Sequence, residues 1–79
     1  MPKKIFIGDL SGITTVSTIN SNFSPYGTIV STDLHTNPTG GPSTCDLEYT
    51  TDQAGTDAID NMNGATIDGA TIVVRPADT

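Results

Sequence analysis

The sequence contains few basic residues. It has 3 Lys or Arg residues against 9 Asp or Glu residues, and its formal net charge at pH 7 is -6. Such a surface repels polyphosphates at long range, and contacts to phosphates supply much of the affinity of proteins for nucleic acids. The composition therefore disfavours ordinary RNA or DNA binding.

Cysteine and long apolar segments are also scarce. The single cysteine, Cys45, excludes an internal disulfide and a thiolate-rich metal cage. No apolar run is long enough to cross a bilayer, and no charged-then-apolar leader opens the chain. We expect a soluble domain of a reducing compartment or of recombinant cytosolic origin, with no membrane association; the sequence does not indicate its location further.

The residues that are present favour one β-rich domain. Apolar residues make up 34% of the 79 residues and charged residues 15%, while Thr, Ser, Asn, Asp and Gly are abundant. This length is close to the smallest at which one core is sufficient. We therefore expect a single domain over residues 1–79.

The apolar run from Lys4 to Leu10 predicts a central strand that ends after Gly-Asp. Side chains alternate faces along a strand, so Ile5 and Ile7 point to one side and Phe6 to the other. If the two isoleucines face the core, the Phe6 ring lies on an open face. There it is either a stacking platform for a ligand or an isolated apolar side chain.

Two short helices are predicted. The first follows a Thr15 cap, has an apolar stripe, and ends at 24–27. The second follows Thr51 or Asp52, and Gly55 inside it costs roughly 1 kcal/mol relative to Ala. The apolar faces are Val16, Ile19 and Phe23 in the first helix, and Ala54, Ala58, Ile59 and Met62 in the second.

Further strands are predicted at Thr28 to His35, Thr44 to Thr50 and Thr71 to Arg75. An exposed loop rich in Pro and Gly occupies 36–43, a small β pairing involves Ile67 before an Asp68-Gly69 turn, and residues 77–79 fray. Alternation also assigns side chains of the third and last strands to faces. Cys45, Leu47, Tyr49, Ile72 and Val74 are expected to face the core, whereas Asp46 faces outward.

The predicted order is β-α-β-β-α-β. With right-handed crossovers this gives an α+β, ferredoxin-like sandwich. We expect a four-stranded antiparallel sheet in the order 4-1-3-2, with two helices on one face and the other face open.

Several short segments agree with one known family in order and spacing. They are Ile5-Phe6-Ile7-Gly8-Asp9-Leu10, Phe23-Ser24-Pro25-Tyr26-Gly27, Thr39-Gly40, Ala58-Ile59, Met62-Asn63-Gly64, Asp68-Gly69 and Ile72-Val73-Val74. Over nearly its whole length the chain resembles an RNA recognition motif. The resemblance implies the same fold and a surface for single-stranded RNA on the open sheet face.

The RNA-binding part of the family signature is largely missing. Aligned at Tyr49, the third-strand signature places its basic residue at Pro42 and its two stacking aromatics at Thr44 and Asp46. Stacking contributes about 1 to 3 kcal/mol per base, so the loss is several kcal/mol. The resemblance leaves six weak candidates for nucleic-acid contact: Lys4, Phe6, Thr44, Asp46, Val73 and Arg75.

Enzymatic and metal-binding functions are not indicated. Cys45 and the single His35 lie on different predicted strands without the spacing of a catalytic pair. Gly8 to Thr15 carries neither the Arg of an acylphosphatase-like phosphate loop nor a Cys-x-x-Cys pair, and the acids near the second helix do not form a Ca²⁺ loop. We therefore expect no enzyme activity, no cofactor and no metal.

Three functional hypotheses remain. The first is a designed or engineered scaffold on an RNA recognition motif backbone, with no evolved activity, no partner and little or no RNA affinity. The second is a divergent natural domain that binds protein, which requires an exposed apolar anchor cluster. The third is a weak single-stranded RNA binder that uses Phe6 and the few cations. In each case we expect a monomer.

Overall fold

The computed structural model describes residues 2–37 and 39–77, and its element order confirms the β-α-β-β-α-β plan. A short 3₁₀ turn, Ser24–Tyr26, follows the first helix. The strands are β1 Lys3–Leu10, β2 Ile29–His35, β3 Ser43–Tyr49, β4 Thr66–Ile67, β5 Ala70–Thr71 and β6 Val73–Pro76, and the helices are α1 Val16–Phe23 and α2 Asp52–Met62.

The main sheet has four antiparallel strands in the order β2-β3-β1-β6, as predicted. The expected extra pairing is a two-stranded hairpin of β4 and β5, in which Asp68 and Gly69 form the turn with φ values of 52° and 82°. The predicted last strand is divided. Thr71 belongs to the hairpin, Ile72 connects the two pieces, and β6 continues through Pro76.

The core lies between one face of the sheet and the two helices. Side chains alternate between the two faces of each strand. On the core face, Ile5 and Ile7 of β1 are completely buried, and so is every second residue of β3. The inward orientation predicted for the third and last strands is therefore confirmed. The buried apolar residues are Ile5, Ile7, Leu10, Ile19, Phe23, Cys45, Leu47, Tyr49, Ala54, Ala58, Ile67, Ile72 and Val74.

Threonine side chains cap both helices. The hydroxyl of Thr15 accepts a hydrogen bond from the backbone N–H of Thr18, which confirms the predicted start of α1. At α2 the cap is Thr51, which accepts from the N–H of Ala54, and Asp52 lies in the first turn as a complement to the helix dipole.

Gly55 has a structural role that the helix propensity scale does not include. It lies where α2 crosses β1, and a Cβ atom built on it would overlap the Cβ and Cγ atoms of Lys3 and come within 3.5 Å of Ile5. The missing side chain lets the helix approach the central strand. The cost predicted for this glycine is therefore offset by close packing.

Two boundary expectations are wrong. Ser43, assigned to the exposed loop, is fully buried at the start of β3, where it pairs with Leu10 across an irregularity in the ladder. Ala77, expected to fray, donates its N–H to the carbonyl of Lys4 at 3.1 Å and so extends the sheet edge. Pro38 of the loop, and residues 78 and 79 of the expected frayed end, lie outside the described residues.

Candidate nucleic-acid interface

The open face of the sheet carries one row of four side chains that crosses all four strands. The strand register places Asp33 of β2 opposite Asp46 of β3, Asp46 opposite Phe6 of β1, and Phe6 opposite Arg75 of β6. Directly opposed residues in an antiparallel pair have Cβ atoms about 5 Å apart. Two acids, one aromatic ring and one guanidinium therefore form a continuous row.

Phe6 is the aromatic centre of this row. Its ring leans along the strand over Gly8, because a Cβ at Gly8 would lie 2.8 Å from a ring carbon. The guanidinium carbon of Arg75 lies 4.6 Å from the ring centroid, a cation–π arrangement. The ring is partly buried: the missing side chain of Gly8 leaves room for it, and the Arg75 guanidinium lies over it.

A cleft opens beside the ring. Its volume is about 380 Å³. Its walls combine an aromatic ring, an anionic acceptor and a cationic donor, the mixture that suits a planar polar ligand. The lining residues are Phe6, Asp46, Arg75, Pro76 and Ala77.

His35 and two carboxylates form a polar cluster next to the cleft. The Nε2 atom of His35 lies 3.3 Å from Oδ2 of Asp46 and 3.8 Å from Oδ2 of Asp33. The side chains are exposed by 54%, 38% and 74% for His35, Asp46 and Asp33, so solvent screens these contacts strongly. Sequence reasoning missed this cluster, although the spacing of Asp33 and His35 by two residues on a strand predicts a shared face.

All six residues predicted as candidates for nucleic-acid contact lie on this face, but the structure separates them into two groups. Phe6, Asp46 and Arg75 meet at the cleft. The other three lie in neighbouring rows, so the structure brings together only half of the predicted set. Lys4, Thr44 and Val73 lie opposite Glu48, His35 and Gly8, respectively.

Cys45 lies beneath this face and is fully buried. Burial raises the pKa of its thiol from the usual 9.0 to about 11, and the nearby carboxylates of Asp46 and Asp33 act in the same direction. A thiol with a raised pKa is a poor nucleophile. This environment supports the prediction that Cys45 is a core residue.

The raised pKa of Cys45 predicts a loss of stability at alkaline pH. Between pH 9 and 11 the folded protein keeps the thiol proton that the unfolded chain releases, so the free energy of unfolding falls as pH rises. The expected loss is about 1 kcal/mol between pH 9 and pH 10. Urea unfolding at the two pH values measures it. The Cys45→Ala variant is the control, and its free energy of unfolding should fall by about 1 kcal/mol less over the same pH range. Equal losses in the two proteins would contradict the raised pKa of Cys45.

Two negative findings apply to residues 2–37 and 39–77. Their His, Cys, Asp and Glu side chains form no group of three or more with the arrangement of a metal site. No helix in this part of the chain is long and apolar enough to cross a bilayer.

The chain thus belongs to a class of proteins in which two helices pack on one face of a four-stranded antiparallel sheet. The other face is free and carries an aromatic side chain on a central strand. Residues 5–73 match the model of the RNA recognition motif. The chain belongs to the RNA recognition motif family.

Similar proteins agree with this assignment. Over 79 residues the chain is 35% identical to "Organelle RRM domain-containing protein 1, chloroplastic" of Zea mays, a match that covers 98% of this chain and 20% of the maize protein. The chain thus spans about a fifth of the length of that relative.

Solved structures show the same fold. RRM3 of Pes4 superposes with a TM-score of 0.91 at 30% identity and covers 98% of this chain and 93% of its own. The RRM of Rna15 with bound RNA (GU) superposes with a TM-score of 0.83 at 17% identity and covers 96% and 83%. At that low identity the second likeness shows the fold alone.

Proposed function

We propose that this domain is a low-affinity binding module for single-stranded RNA, with one base held on the Phe6–Arg75 pair. The observation that carries the proposal is the guanidinium of Arg75, 4.6 Å from the Phe6 ring centroid, at the wall of the cleft. Aromatic rings and arginine planes are the surfaces on which RNA-binding proteins stack unpaired bases. The same fold carries bound RNA in the Rna15 structure.

The affinity is expected to be low for two reasons. Thr44 and Asp46 stand where the family signature places its other two stacking aromatics, so only one position for stacking remains. The net charge of -6 opposes the approach of a phosphodiester chain, and only Lys4 and Arg75 contribute permanent cations to the open face. We expect a Kd weaker than about 0.1 mM at physiological salt.

The designed origin of the first hypothesis stays a prediction, and 35% identity to a maize protein over 98% of the chain favours a natural origin instead. Protein binding is the less favoured alternative. Among the described residues, the large exposed apolar side chains include no aromatic one, whereas interface hot spots are enriched in Trp, Tyr and Arg. Those side chains are Ile13, Val16, Val30 and Val73. We propose no catalytic activity.

The stacking role of Phe6 is tested by two matched substitutions. Phe6→Leu keeps apolar volume but removes the π face, and Phe6→Tyr keeps the π face. Fluorescence anisotropy with a labelled mixed-sequence single-stranded RNA at low salt should show a loss of about tenfold in affinity for the leucine variant, because stacking is worth about 1 to 3 kcal/mol per base. The tyrosine variant should bind within about twofold of the original.

Val30→Ala is the surface control, since Val30 is 56% exposed on the edge strand β2 and lies outside the cleft. It should bind like the original domain. Equal affinity of the original domain and both Phe6 variants would contradict stacking. Absence of any binding at low salt would instead support the inert scaffold.

A further inference from the structure

The Phe6 ring is flanked by two side chains of opposite hydrogen-bonding character. Asp46 lies directly opposite on β3, and its carboxylate accepts hydrogen bonds only. Arg75 lies directly opposite on β6, and its guanidinium donates only. Both side chains line the same cleft as the ring. The guanidinium lies over the Phe6 ring, 4.6 Å from its centroid, so it belongs to the stacking surface. A base held on the Phe6–Arg75 pair therefore meets the Asp46 acceptor at one edge.

The geometry of Asp46 leaves it available to a ligand. His35 contacts one carboxylate oxygen, Oδ2, at 3.3 Å. The side chain is 38% exposed, so the carboxylate is reachable from the cleft. Its position beside the ring, on the neighbouring strand, places it at the rim of a stacked base and not beneath it.

The four RNA bases differ in the hydrogen-bond donors that they offer to the Asp46 carboxylate. Guanine presents two adjacent donors, N1–H and the N2 amino group, on one edge. A carboxylate accepts two parallel N–H bonds in a bidentate geometry. Uracil has a single N–H between two carbonyl oxygens, and those oxygens would face the carboxylate.

We propose that Asp46 makes this cleft selective for guanine. This inference rests on the proposed stacking at Phe6 and goes beyond it, because it assigns the base and the residue that selects it. Asp46 lowers the affinity for RNA in general through its charge and raises the preference for guanine through its hydrogen bonds. Adenine and cytosine each offer one amino donor to the carboxylate, so both should lie between guanine and uracil.

The two effects of Asp46 have opposite signs, and this makes one substitution informative. Asp46→Asn removes a negative charge close to the RNA, which should strengthen binding of every oligonucleotide. The same change removes the acceptor pair that matches N1–H and N2–H₂ of guanine. Affinity should therefore rise for uracil and rise less, or fall, for guanine.

The experiment uses uridine pentanucleotides with guanine, adenine, cytosine or uracil at the central position, titrated into the ¹⁵N-labelled domain at low salt. The original domain should bind the guanine oligonucleotide about tenfold more tightly than the uracil one, the discrimination expected of a bidentate contact. Asp46→Asn should reduce this ratio to about twofold or less. Replacing the central guanosine with inosine, which lacks the N2 amino group, should weaken the preference over uracil in the original domain but leave the Asp46→Asn variant unchanged.

Glu48→Gln is the matched control. Glu48 lies two residues further along the same strand, opposite Lys4 and outside the cleft, so its substitution removes the same charge from the same face. It should strengthen binding of all four oligonucleotides equally and keep the guanine ratio. Binding of all bases with equal affinity, and with shifts at Phe6, would overturn the guanine assignment alone. If no oligonucleotide shifts Phe6, both this inference and the proposed function fail.

Discussion

Replacing Leu47 with Ala is expected to lower the free energy of unfolding by about 3 kcal/mol. Leu47 is fully buried at the centre of β3, opposite Ile5 of the central strand β1. Truncation removes apolar burial and leaves a cavity between sheet and helices that the surrounding backbone cannot close. Urea unfolding followed by circular dichroism measures the change. Ile7→Ala, at another fully buried position of β1, should cause a loss of similar size.

Phe6→Ala is the control for this prediction, because Phe6 lies on the opposite face of the same sheet. Its ring is partly exposed and contacts the Arg75 guanidinium, so we expect a loss of less than about 1 kcal/mol. A loss at Phe6 as large as that at Leu47 would mean that the two faces of the sheet have been assigned wrongly.

Gly55→Ala is expected to destabilise the domain by about 2 kcal/mol, although alanine is the better helix former. The added methyl group would overlap the Lys3 side chain close to its backbone attachment, so α2 must move away from β1 or β1 must shift. A thermal melt or a urea titration measures the effect.

Thr56→Ala separates packing from helix propensity. Thr56 is the next residue of α2 and is exposed, so its replacement changes propensity without a change in packing and should stabilise the domain by about 0.5 kcal/mol. Stabilisation by Gly55→Ala as well would show that propensity dominates at both sites. In that case the close approach of α2 to Lys3 would not be important for stability.

Alternation in the sequence was sufficient to predict the two faces of the sheet. The polar residues between Cys45, Leu47 and Tyr49 exclude the other orientation of β3, because the reverse would bury Asp46 and Glu48. The cap at Thr15 was equally predictable, since it depends on local hydrogen bonding between near neighbours. The strand order followed from the β-α-β-β-α-β succession and right-handed crossovers.

The remaining features depend on contacts between distant segments. Helix propensity alone predicts that Gly55 weakens the helix. Its close approach to Lys3, at the start of the chain, is visible only in the folded structure. The row of Asp46, Phe6 and Arg75 requires the register of three strands, which no local pattern specifies. For the same reason the sequence indicated each candidate residue separately but not the cleft that three of them form.

RNA binding at the open face can be tested with a ¹H–¹⁵N correlation spectrum of the labelled domain, recorded during titration with a short single-stranded RNA at low and then at physiological salt. We expect amide shifts centred on Phe6, Asp46 and Arg75 that weaken as salt is added, because binding combines stacking with a cation contact on this row. Well-dispersed peaks that do not move at either salt concentration, or shifts confined to the helical face, would contradict RNA binding at the open face.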